Sequence, residues 1–166
     1  MNIPFKVKLL TETAKAPEQA NEGDLWDIFA DNFISPAFKN NEWILEDLQA
    51  TIHPQSRILV RTGIALELPI RRKEGEIEAY AVADIRPRSG LALKHGITIL
   101  NTPATIDNSY RKEIGVILIN QGHEPYTIKK GDKIAQMLIR PLYPSSFEIV
   151  KDLKDTGRGS FGSTGY

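Results

Sequence analysis

Cysteine is absent from the 166 residues, which excludes disulfides, zinc–thiolate sites and a thiol nucleophile together. Histidine is scarce: His53, His95 and His123 stand far apart in the chain, a poor basis for a histidine metal cage. Long apolar runs are missing too. No stretch approaches the ~18 residues of a membrane span, and the opening MNIPFKVKLL has no extended apolar centre, so the expectation is a cytoplasmic protein. Nor is there an excess of either charge. Lys plus Arg and Asp plus Glu each total 21, which argues against a nucleic-acid or membrane partner but leaves room for a local basic pocket. Room for long helices is lacking as well, because prolines at 36, 54, 69, 87, 103, 125, 141 and 144 punctuate the chain.

What remains reads as short strands. Phe5, Val7 and Leu9 alternate with lysines; Ile64, Leu66 and Leu68 alternate along TGIALELP; IGVILIN and KIAQMLI are apolar runs bounded by turn residues. Such a series predicts one all-β domain over residues 1–150, a sandwich, jelly roll or barrel with at most one short helix. The best helical candidate is NNEWILEDLQ, residues 40–49, where Trp43, Ile44 and Leu48 share a face. Residues 151–166, KDLKDTGRGSFGSTGY, differ in kind. Glycine-rich and poor in apolar residues after Leu153, this segment cannot offset its ordering entropy alone. It is either a frayed tail or an arm that folds over a ligand, with Phe161 at its centre.

Several constellations carry possible chemistry. PRSGLALKHGI (87–97) places Arg88, Ser89 and Gly90 in a row: a guanidinium fork, a hydroxyl and a backbone open to close approach suit a phosphate, or an ordinary turn. Asp107, before Asn-Ser-Tyr, is predicted at a strand-to-turn junction, as a general base or a turn cap. Tyr110 floors a pocket or packs in the core. Gln136 is polar among apolar neighbours, a satisfied core amide or a ligand contact. GRGSFGST (157–164) nearly spells a phosphate loop, but Ser163 stands where that motif needs lysine, so a P-loop NTPase is rejected. Its glycines and hydroxyls still suit a phosphate cradle.

In this order, the segments resemble the five motifs of the trimeric dUTPase family. GDLWDIFA (23–30) is similar to the first, PRSGLALKHGI to the second, NTPATIDNSYRKEIG to the third, GDKIAQMLI to the fourth and RGSFGSTG to the fifth. The resemblance implies a distorted jelly-roll homotrimer with active sites shared between subunits. It implies hydrolysis of dUTP to dUMP and pyrophosphate with Mg²⁺, the metal chelated chiefly by the triphosphate. Asp107 would be the base that orients water toward the α-phosphorus. Arg88, Ser89, Gly90 and Gln136 would hold phosphates, and Arg158, Ser163 and Thr164 the outer ones. Asp27 would support the metal's water shell or the phosphate-binding arginine. Asn101 and the backbone through Thr105 and Ile106 would read uracil, Tyr110 would pack under deoxyribose, and Phe161 would stack on the base.

The chain also departs from that pattern. Asp24 and Leu25 replace Ala-Gly in the first motif, Ala104 stands where glycine is usual, close to the expected base pocket, and Lys112 replaces the glycine after Tyr-Arg. Segments 31–50 and 70–84 are longer, the second predicting a hairpin around Glu74-Gly75. The fifth motif is two residues short, so either Arg158 or Thr156 holds its arginine position. Two rivals share the fold: a dCTP deaminase, which would need a glutamate in the strand IGVILIN where Glu113 comes too early, and a catalytically silent nucleotide-binding homologue.

Overall fold

The computed structural model describes residues 3–39, 42–46 and 48–157, with only the backbone of 34–39 and 42–46. Strands β1 (Lys6–Leu9), β2 (Trp26–Phe29), β3 (Asn32–Lys39) and β4 (Glu42–Glu46) come first, then β5 (Gln49–Ile52), β6 (Arg57–Arg61) and β7 (Ile64–Glu67). After β8 (Ile70–Lys73) and the long β9 (Glu76–Pro87) comes the one helix among the described residues, α1 (Ser89–His95). Strands β10 (Ile97–Ile99), β11 (Ala104–Ile106), β12 (Gly115–Asn120), β13 (Tyr126–Lys129) and β14 (Lys133–Leu142) complete the order.

All pairings are antiparallel. One sheet runs β10-β12-β6-β3-β4; another runs β11-β9-β14-β2, with β8 also on β9; β1-β7 and β13-β5 are separate pairs. Alternation explains the packing. Val116 and Leu118 of β12 and Ile58 and Val60 of β6 point inward from the first sheet. Ala81, Ala83 and Ile85 of β9, with Met137 of β14, point inward from the second. They share one core with Phe33 and Ile114, which are fully buried. Asn120, inward on β12, is buried with its amide satisfied: it donates to the carbonyls of Ile52 and Glu124 and accepts from the Gly122 N–H.

The hairpin expected around Glu74-Gly75 is present. Lys73 pairs with Glu76, and both loop residues have positive φ, 53° and 89°, the backbone that a two-residue turn needs to match strand twist. The helix expected over 40–49 is not. Residues 42–46 form β4 against β3, and β5 starts at Gln49; residues 40, 41 and 47 lie outside the described residues. A short apolar run such as EWILE suits either state, and pairing with β3 decides it. The helix forms instead in SGLALKH, where Gly96 ends it in the left-handed region at φ 67°. A side chain there would collide with the Gly122 backbone, whose nitrogen would lie 2.4 Å from the added Cβ.

Beyond Leu142 the described chain, through Gly157, has no strand or helix and is exposed; Phe147, Ile149 and Leu153 are 87–89% exposed. No helix among the described residues is long and apolar enough to cross a membrane.

Candidate active site

Asp27, Arg88 and Gln136 come from three distant parts of the sequence and meet because β14 lies between β2 and β9. Gln136 is in register with Asp27 on one side and Arg86 on the other. Asp27 is 5% exposed, and a buried carboxylate requires partners. Its Oδ1 accepts from Gln136 Nε2 at 3.3 Å, and Oδ2 accepts from Lys133 Nζ at 2.8 Å. Arg88 Nε lies 3.5 Å from Oδ1, an ion pair, yet makes no hydrogen bond among the described residues and is buried. Its Nη1 donates to the Lys133 carbonyl at 3.2 Å. Part of the guanidinium's donor capacity is therefore unused.

Lys133 is the residue that sequence reading missed here. Strict alternation would put residues 133 and 136 on opposite faces of a strand. A bulge between Lys133 and Ala135 shifts the register, so both side chains reach the same aspartate. The only signal for it was the Gly-Asp turn just before the strand. Tyr126 is a second neighbour that was missed. Burial pushes its hydroxyl above the usual tyrosine range, and Asp132 adds to this while Arg88 partly opposes it.

Beside this cluster α1 begins. Its first internal bond runs from the Ala92 N–H to the Arg88 carbonyl, so the N–H groups of Ser89, Gly90 and Leu91 precede the helical ladder. Ser89 and Gly90 are exposed. Arg88, Ser89, Gly90, Gln136 and Asp27 thus form one patch of donors around a single neutralising carboxylate.

The 101–113 segment forms a second group. Asp107 follows β11 at the expected strand-to-turn junction, is exposed, and has no hydrogen bond or ion pair on its carboxylate among the described residues. The loop beneath it is tied down. The Tyr110 N–H donates to the Asp107 carbonyl at 3.0 Å, and the Tyr110 hydroxyl donates to the Glu113 carbonyl at 2.9 Å. Arg111 donates to the carbonyls of Asn108 and Tyr110. Glu113 pairs with Arg61 and accepts from the Gly63 N–H at 2.9 Å, so the acid considered for proton shuttling in a deaminase is committed elsewhere.

Asn101 is exposed in the turn before β11. Ala104 and Ile106 pack against the core and pair with Ile85 and Ala83 of β9. Thr105 turns to the other face and donates to Asp84 Oδ1 at 2.8 Å. That aspartate, 2% exposed, also accepts from Arg140 Nε at 2.7 Å. Burial alone would raise its carboxyl, but hydrogen bonds from Arg140 and Thr105 and the charges of Arg140 and Arg86 outweigh it and hold it below the ordinary aspartate range. Arg158, Phe161, Ser163 and Thr164 lie outside the described residues.

The two groups do not meet within one chain. Asp107 follows Ile106, which faces Ala83, and so stands level with Val82, whereas Arg88 lies six residues away in the opposite direction, just past the end of β9. At about 3.3 Å per residue that separates them by roughly 20 Å.

Comparison with known proteins identifies the family. The dUTPase family model matches residues 45–165. The chain is 45% identical over 164 residues to the deoxyuridine 5′-triphosphate nucleotidohydrolase of Clostridium tetani, covering 97% of this chain and 96% of that protein. It is 57% identical over 116 residues to that of Ehrlichia canis, covering 68% and 70%. Among solved structures, a mutant Staphylococcus bacteriophage 80alpha dUTPase with dUpNHpp superposes at a TM-score of 0.73 and 24% identity, covering 98% of this chain and 99% of that one. A mutant dUTPase from phage phi11 of S. aureus, described as coordinating a structural Mg(II) ion, superposes at 0.67 and 23% identity, covering 90% and 97%. The chain belongs to the dUTPase family, the deoxyuridine 5′-triphosphate nucleotidohydrolases.

Proposed function

We propose that this protein hydrolyses dUTP to dUMP and pyrophosphate by attack of water on the α-phosphorus, in a homotrimer whose active sites are shared. The observation that carries the reading is the state of Asp107: an exposed carboxylate with no partner among the described residues, on a loop fixed by its own hydrogen bonds. A general base needs a free lone pair at a fixed place. Asp107 takes a proton from water as its oxygen bonds to the α-phosphorus. The bridging bond to the β-phosphate breaks, and pyrophosphate leaves with the electron pair. Such a reaction depends on positioning and charge neutralisation more than on covalent help.

Arg88, Lys133, Gln136 and the Ser89–Gly90 amides are the groups that neutralise and hold the phosphates. Tyr110 takes the deoxyribose side, Asn101 and the backbone of 104–106 take uracil, and the arm brings Phe161, Arg158, Ser163 and Thr164 over the ligand. Mg²⁺ fits this site as an ion carried in by the triphosphate: both oxygens of Asp27 already accept from Lys133 and Gln136, so Asp27 meets the metal only through water. When bound, the ion supplies charge neutralisation across the phosphate oxygens.

The separation along β9 supports sharing between subunits. Arg88 must hold phosphates next to the atom that Asp107's water attacks, so the two come from different copies. The exposed side chains Phe147, Ile149 and Leu153 support the same reading, because a run of apolar groups this open to water gains by being covered. No nucleic-acid or membrane partner is proposed, and a cytoplasmic location is.

The test is incubation with dUTP, dCTP and UTP in the presence of Mg²⁺, resolving nucleotides, ammonia and pyrophosphate. Expected is pyrophosphate and dUMP from dUTP alone. Ammonia from dCTP would overturn the reaction, and tight binding of dUTP without turnover would make the chain a silent homologue.

A further inference from the structure

One edge of β9 is occupied by β14, which pairs with it from Tyr80 to Pro87. The other edge is divided between two short strands. Strand β8 covers Glu76 to Tyr80 and β11 covers Ala83 to Ile85, which leaves a seam at Ala81–Val82. The chain entering β8 has its own gap. The β1–β7 ladder ends at Glu67 and the β8–β9 ladder starts at Ile70, and between them the Ala81 N–H donates to the Pro69 carbonyl at 2.9 Å. Proline brings no N–H of its own, and Leu68 is 2% exposed. Buried carbonyls at such a seam require donors.

Besides that backbone bond, a single side chain supplies them. The Asn108 amide nitrogen lies 3.0 Å from the carbonyl oxygens of Leu68, Pro69 and Ala81. Two amide hydrogens serve three acceptors, so one hydrogen is shared. The remaining bonds of this loop are internal, save at its far end, where Glu113 holds Arg61 and Gly63. Asn108 is therefore the tie beside Asp107, and it fastens that residue to the root of the β8–β9 hairpin.

We infer that Asn108 is a positioning residue for the reaction, holding the Asp107 carboxylate at its working place by closing the seam between β8, β9 and β11. The inference rests on Asp107 being the base. It makes Asn108 act through Asp107 alone and assigns it no contact with substrate. It also joins the longer hairpin of this chain to the catalytic loop, so a disturbance at Leu68–Pro69 is transmitted to Asp107.

The test compares wild type, Asn108→Ala, Asn108→Ser, Asp107→Asn and the double variant Asp107→Asn/Asn108→Ala in steady-state dUTP turnover, with thermal melting of each. Asn108→Ala should lower kcat about 10–100-fold and leave KM within about threefold, because a base moved by an ångström loses rate while the phosphate contacts stay. Asn108→Ser keeps one donor and should fall between. In the Asp107→Asn background, Asn108→Ala should cost nothing further, which a merely structural role would not produce. If Asn108→Ala fails to fold, Asn108→Ser alone and combined with Asp107→Asn carries the same comparison. Unchanged kcat in the single variant, or equal losses in both backgrounds, overturns the inference while the proposed reaction stands. A wild-type chain that does not turn over dUTP, or an Asp107→Asn chain that turns it over at full rate, overturns the reading of Asp107 and this inference with it.

Discussion

Asp27 and Asp107 carry the same functional group and live in opposite circumstances. Asp27 is buried on a strand and surrounded by Lys133, Gln136 and Arg88, so its charge is fully used in holding donors together. Asp107 is exposed on a loop, and the loop rather than its carboxylate is what the protein holds. A saturated carboxylate organises a binding patch; a free one on a fixed support can accept a proton. The difference arises from neighbours, since the side chains are identical.

Four changes would break or sharpen that contrast. The largest effect belongs to the free acid. Asp107→Asn should keep dUTP binding and lower kcat by about 10²–10⁴-fold, because the amide cannot take the proton; single-turnover assays with binding measured separately will show it. Near wild-type turnover would return Asp107 to a turn-capping role.

Next comes sharing. Arg88→Ala and Asp107→Asn chains should each be nearly inactive, yet subunit-exchanged mixtures should regain activity, because a mixed assembly contains sites with both residues intact. Dead mixtures, with exchange demonstrated by differently tagged chains, would place both residues in one subunit's site.

A smaller effect is expected at Lys133. Lys133→Met removes one of the two cations on Asp27 and lets that aspartate hold Arg88 more tightly. KM for dUTP should rise roughly tenfold, about 1.4 kcal/mol, with kcat little changed. A fall in kcat at constant KM would instead put Lys133 at the transition state.

The smallest effect concerns stability. Asp84 has a carboxyl held below its ordinary range by Arg140 and Thr105 against burial. The contribution of its charge is present above the unfolded value near 3.9 and is lost as pH falls through the lower folded value. Asp84→Asn should therefore melt below wild type at pH 7, and the difference should shrink as pH falls below about 4. A gap independent of pH would mean that the shape of the site, not its charge, is what the change disturbs.

Some of this was legible before any coordinates. Proline spacing and period-two alternation pointed to β structure because each strand buries one face. Arg88-Ser89-Gly90 and Asp107 drew notice because fork, hydroxyl, open backbone and acid are the groups that phosphate chemistry uses. The EWILE segment was misread because a short apolar run has no periodicity long enough to separate helix from strand, and β3 settled it. Lys133 escaped because a bulge overturns the alternation on which facing residues are judged. Asn108 escaped because its value lies in three carbonyls that are 27 to 40 residues away in the chain.

By itself, then, the amino-acid order determined the strand-rich class, the absence of thiol chemistry, the local turn at Glu74-Gly75 and the inventory of groups able to meet a nucleotide. These are local properties, set by side-chain chemistry and by the backbone preferences of neighbouring residues. Only the tertiary structure decided which acid is saturated and which is free, that Lys133 joins Gln136, and that Asn108, next to Asp107, ties its loop to Leu68, Pro69 and Ala81. It also decided that Arg88 stands six residues from the level of Asp107 along the β9–β11 register, roughly 20 Å at about 3.3 Å per residue. Partnership depends on which strands pair and in what register, and that is settled by the burial of the whole core at once.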